Sequence, residues 1–115
     1  MCAVRAMANA AARRKAAEAA VEAALARQKA ALAAVDTARQ RVFGAAAKHL
    51  EKRGDAFLAA EKFGSTESEA FRSALEQVEA AQATLAREML ALDKAKQEVR
   101  AAAEAAAKAA ASCGE

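Results

Sequence analysis

Apolar residues recur at helical spacing along most of the chain, in two stretches separated by a short polar segment. In the second stretch Phe71, Val78, Leu85, Leu92, Val99 and Ala106 repeat every seven residues. Leu75, Gln82, Met89, Lys96, Ala103 and Ala110 interleave with them four residues later. This pattern predicts a coiled-coil seam, with Gln82 and Lys96 as polar interruptions of the kind that select register or oligomer state. In the first stretch Val21, Leu25, Leu32, Val35, Phe43, Leu50 and Phe57 fall near one stripe at a period of 3.6. A stripe of that period belongs to a nearly straight helix. Before Val21 only Val4 and Met7 offer large apolar anchors, so that segment is expected to be held less tightly.

The break between the stretches is Lys62-Phe63-Gly64-Ser65-Thr66-Glu67-Ser68-Glu69. Gly64 suits the left-handed conformation that ends a helix, and Lys62 lies where the helix dipole favours a cation. Thr66-x-x-Glu69 reads as a capping box at the start of the next helix. The expected elements are a helix over about 4–62, a turn at 63–66 and a helix over about 67–112. Gly54, in Arg53-Gly54-Asp55, competes as a reversal point. The reading adopted is a helix that continues through Gly54, with the second helix approaching closely there.

The predicted fold is all-α: two long antiparallel helices forming an alanine-rich coiled-coil hairpin. Composition sharpens this picture. The 115 residues include 41 Ala and no Pro, Trp, Tyr or Ile, while Val, Leu, Met and Phe together number only 21. Alanine has the highest helix propensity, so long uninterrupted helices are favoured locally, but the apolar residues cannot build a thick core. A single hairpin hides one stripe per helix and leaves Val42, Leu58 and Leu90 beside it. Pairing of two hairpins into a four-helix bundle is therefore expected.

The net charge is +3, and it divides unevenly. Residues 1–62 carry twelve Lys or Arg and six Asp or Glu, and residues 63–115 carry six and nine. The opposite signs support antiparallel docking of one arm on the other. The acidic second arm and the four Phe speak against nucleic-acid binding, which usually joins a basic face to aromatic stacking. No run of eighteen apolar residues suggests a membrane span. A cytoplasmic location is expected, although the basic N-terminus (Arg5, Arg13, Arg14, Lys15) is also compatible with an organellar targeting segment. Cys2 and Cys113 could meet as a terminal staple, or remain reduced thiols as in most intracellular chains.

No catalytic, metal-binding or cofactor-binding constellation stands out. The lone histidine, His49, has no second His and no nearby Cys, and the carboxylates show only ordinary helix-surface spacings. There is no glycine-rich phosphate loop. The expectation is a non-enzymatic coiled-coil structural or adaptor protein that acts through helix–helix contacts with protein partners, and as a homodimer or higher oligomer. The site residues are then the seam residues Val21, Leu25, Leu32, Val35, Phe43, Leu50, Phe57, Phe71, Leu75, Val78, Leu85, Met89, Leu92 and Val99, with Gly64, Thr66 and Glu69 at the turn. The alternative is an amphipathic surface-coating or stress-protective protein that binds a lipid or polymer interface. Membrane contact belongs to that alternative alone.

Overall fold

The computed structural model describes residues 2–63 and 69–113. They form two helices, α1 (Cys2–Phe63) and α2 (Glu69–Cys113), and no strand occurs among the described residues. The fold is all-α, a helical hairpin. Glu69 opens α2, where a carboxylate meets the positive end of the helix dipole. The expected turn residues Gly64 and Thr66 lie outside the described residues, as do the side chains of Cys2 and Cys113.

Contacts group the chain into two compact units, Met1–Leu32 with Ala91–Glu115, and Ala33–Leu90. In the first unit the early part of α1 lies against the later part of α2, and Arg27 Nε donates to Glu98 Oε2 at 3.3 Å. In the second unit the later part of α1 lies against the beginning of α2. There the His49 ring stacks on Phe71, with centroids 5.1 Å apart and planes inclined by 29°. Both pairings are antiparallel.

The burial pattern identifies the seam. On α1 of the second unit the sheltered positions include Val35, Ala38, Val42, Ala45, His49 and Lys52, and in the first unit Ala17, Val21, Ala24, Gln28 and Ala31. Alternating steps of three and four residues define heptad positions a (Val21, Gln28, Val35, Val42, His49) and d (Ala17, Ala24, Ala31, Ala38, Ala45, Lys52). On α2 the sheltered positions include Phe71, Val78, Leu85, Leu92, Val99 and Ala106 at a, and Ala74, Ala81, Glu88, Ala95, Ala102 and Ala109 at d, with Thr84 and Glu98 beside them at g.

Two expectations are corrected by this seam. On α1, Leu25, Leu32, Phe43, Leu50 and Phe57 do not face α2; they are 49%, 48%, 73%, 64% and 69% exposed. Of the expected α1 stripe only Val21 and Val35 enter the seam, and Val42, expected beside it, enters as well. On α2, Phe71, Val78, Leu85, Leu92 and Val99 hold their expected places, but the interleaving row lies three residues after them. Leu75 and Met89 are consequently exposed. The physical reason is size. The register set by the Arg27–Glu98 and His49–Phe71 contacts places Ala38 across from Leu85 and Ala45 across from Val78. In the first unit it places Ala24 across from Val99 and Ala31 across from Leu92. Each of these layers joins a small residue to a large one, which suits helices near the ~8 Å end of the usual interaxial range.

Among the described residues the buried ones are Ala24, Val35, Ala38, Ala74 and Ala95. Four of the five are alanine, so the seam is tight but thin. Val4 and Met7, the two large apolar residues before Val21, are 71% and 73% exposed.

α1 runs on through Gly44 and Gly54. Among the described residues the expected close approach at Gly54 is not seen: a Cβ at either glycine meets nothing within 4 Å. Both glycines therefore cost helix stability without a packing role. Gly44→Ala and Gly54→Ala should each stabilise the protein by about 0.5–1 kcal/mol. The measurement is urea unfolding followed by circular dichroism, and an unchanged midpoint in both variants would refute the open-site reading. The corrected seam makes a second prediction. Leu85→Asp places a carboxylate in the seam and should cost about 3 kcal/mol or more. Met89→Asp, at an exposed position, should change the midpoint little; equal losses in the two variants would overturn the face assignment.

Candidate functional site

Each unit has two flanks beside its seam, because the residues at positions e and g border the a/d row on opposite sides. When two helices run antiparallel, position g of one faces position g of the other, and e faces e. The Arg27–Glu98 ion pair joins two g residues, and so confirms this geometry in the first unit. Both side chains are substantially exposed, so the pair contributes at most about 1 kcal/mol and serves mainly as a register mark.

In the second unit the two flanks differ in chemistry. The g flank carries Arg41 and Lys48 from α1, and Gln77 and Thr84 from α2. Thr84 Oγ1 donates to the carbonyl of Ala80 at 3.1 Å and accepts from Arg87 Nη2 at 3.1 Å, which ties that hydroxyl to its own helix. The e flank is richer in apolar residues, although it also carries Arg39 and Arg53 of α1 and Gln82 of α2. Leu75 and Met89 of α2 occupy position e, and Phe43, Leu50 and Phe57 of α1 occupy position b, one turn further round the same side. All five are exposed. They are the residues that sequence periodicity assigned to the seam. Leu58 and Leu90, expected beside the main stripes, are 57% and 70% exposed.

The exposed area is substantial. Phe43 and Phe57 alone leave on the order of 200–350 Å² uncovered, since a phenylalanine can bury about 150–250 Å². The largest apolar patch on an ordinary monomer is about 300–600 Å², and patches of that size commonly mark interaction sites. In the first unit the corresponding α1 residues are Leu25 and Leu32, accompanied on α2 by Lys96.

Among the described residues the seam of the second unit contains three polar side chains, His49, Lys52 and Glu88. His49 packs on Phe71, and its Nε2 is buried without a hydrogen-bond partner. Lys52, the next seam residue, turns its ammonium outward to Asp55 Oδ2 at 3.8 Å. The step of seven residues from Val35 to Val42 to His49 is the sequence signal that aligns the imidazole with the seam.

Elsewhere, an open groove on α1 is lined by Ala6, Asn9, Ala12 and Arg13. Nearby, Arg14 Nε lies 4.0 Å from Glu18 Oε1, one helical turn on. Among the described residues no group of three or more His, Cys, Asp or Glu is placed to hold a metal ion. No described helix is long and apolar enough to cross a membrane. The apolar-rich e flank is the feature with the clearest chemical character. No family model, no curated protein and no solved structure matches the chain.

His49→Leu should raise stability by about 1 kcal/mol, because it removes a buried polar atom with no partner while keeping apolar contact with Phe71. Thermal unfolding at neutral pH checks this, and a lowered midpoint would show that the imidazole has a favourable role.

Proposed function

We propose that the protein is a non-enzymatic helix–helix interaction module, a coiled-coil structural or adaptor protein whose working surface is the apolar-rich e flank. One observation carries this reading: Phe43, Leu50, Phe57, Leu75 and Met89 remain exposed on one flank of the second unit, while the opposite flank is polar. A hairpin that needed only to fold could have placed its large residues in its own seam. Here alanine occupies much of the seam, and Phe43, Leu50 and Phe57 of α1 with Leu75 and Met89 of α2 are left outward, spaced to meet another helix.

The second reading, a surface-coating protein that binds lipid or another interface, draws on the same flank. An amphipathic surface helix carries apolar residues beside Lys and Arg, and Arg39 and Arg53 border Phe43 and Leu50. The seam favours the first reading, since ordered heptads between two helices are not required for lying on an interface.

Circular dichroism of the full chain, in buffer and with phosphatidylcholine or phosphatidylglycerol vesicles, separates the two. The interaction module is expected to be helical in buffer alone and to change little when vesicles are added. A chain unfolded in buffer that turns helical only on vesicles would sink this reading.

A further inference from the structure

On α1 in the second unit, Asp36, Arg39, Phe43, Ala46, Leu50 and Arg53 follow one another by alternating steps of three and four residues. They form a second heptad row on the e/b side of the helix, separate from the row that faces α2. Ala46 is half-buried and the other five are exposed, Phe43 at 73% and Leu50 at 64%. The row has the grammar of the inner seam, a small residue between large ones. It differs in having charges of opposite sign at its two ends.

We propose that this row is covered by the same row of a second copy of the chain, running antiparallel about a two-fold axis. The proposal rests on the interaction reading above and names its occupant. Charge complementarity selects both partner and direction. Antiparallel pairing brings Asp36 to Arg53 of the second copy, and by symmetry Arg53 to its Asp36. The same register sets Phe43 across from Ala46 and lays the aliphatic stem of Arg39 along Leu50, with its guanidinium free to reach solvent. Large meets small in the centre, as inside the hairpin. Parallel pairing in register would instead set Asp36 on Asp36 and Arg53 on Arg53, each a like-charge contact. An isologous contact of this kind closes on itself at two copies. From Asp36 to Arg53 the row runs about 26 Å, at 1.5 Å per residue.

The test is sedimentation equilibrium of the full chain under reducing conditions, which exclude disulfide-linked dimers through Cys2 or Cys113. Four proteins are compared: the unaltered chain, Asp36→Arg, Arg53→Glu, and the two substitutions together. Both positions are exposed within the hairpin, so each variant should keep the helical circular dichroism of the parent. The unaltered chain is expected to be a dimer. Each single substitution places like charges together at both symmetry-related ends and should weaken dimerisation about tenfold or more. The double substitution restores opposite signs and should recover most of the affinity. A helical monomer at tens of micromolar would overturn the proposal, and so would single variants that associate as tightly as the parent. Failure of the double variant to recover would also overturn it. The interaction reading fails by a different sign, helicity that exists only on vesicles, so the two failures are distinguishable.

Discussion

The width of the seam between α1 and α2 is the constraint on which the other features depend. In each unit several alanines on one helix stand across from larger residues on the other, such as Ala38 from Leu85 and Ala24 from Val99, so the backbones can approach closely in those layers. A leucine or phenylalanine at an alanine position would push the helices apart locally and open gaps in adjacent layers. The leucines and phenylalanines of α1 whose exposure is described therefore lie outside the seam. Only Val35 combines a larger side chain with full burial among the described residues. The hairpin draws much of its order from helix propensity, and the seam mainly fixes which faces meet.

From that follows the double character of α1. A helix has room for two rows at heptad spacing, since positions e and b lie beside the a/d row rather than opposite it. On α1 the inner row alternates alanine with residues such as Val21, Val35 and Val42 and is the smaller of the two, and the other carries Leu25, Leu32, Phe43, Leu50 and Phe57. The small row makes the hairpin and the large row is left for something else. On α2 the division is less complete, because Phe71, Leu85 and Leu92 serve the seam while Leu75 and Met89 lie outside. The two helices are thus not equivalent, and α1 carries the more distinctive outer surface.

The helices themselves were legible in the residues. Alanine content, the absence of proline and the seven-residue spacing of Phe71, Val78, Leu85, Leu92 and Val99 indicate α2 and its inner face directly. The inner face of α1 was hidden for two reasons. A stripe of leucine and phenylalanine carries more apolar weight than alanine and valine, so periodicity alone points to the outer row. Alanine also occurs on every face, so Ala24, Ala31, Ala38 and Ala45 do not stand out until their partners are known. The same ambiguity displaced the interleaving row of α2 from Ala74, Ala81 and Ala95 to Leu75, Gln82 and Met89. Gln82 and Lys96 were the warning in that row: a seam should not need two polar residues when an alanine line lies one position before it. The unpaired imidazole of His49 could not be read at all without the fold, since its neighbour Phe71 comes from the other helix.

An alanine-lined seam raises a problem of register, because one alanine layer resembles the next and a shift of seven residues changes little in size. The irregular residues remove that degeneracy. If α2 slid by one heptad in either direction, Arg27 would face Ala91 or Ala105 in place of Glu98, and the ion pair would have no counterpart. Slid one way, His49 would face Val78 and lose its stack on Phe71. Each contact is weak as a source of stability, and the ion pair is largely exposed to water. Their value lies in the difference between registers, where several small losses add in the same direction. Polar residues in an otherwise apolar row act here as markers of alignment. The same logic links the inner and outer rows. A slip of one heptad keeps e beside e, so the alignment decides which residues share that side of the second unit, with Leu75 and Met89 of α2 brought beside the α1 row of Phe43, Leu50 and Phe57.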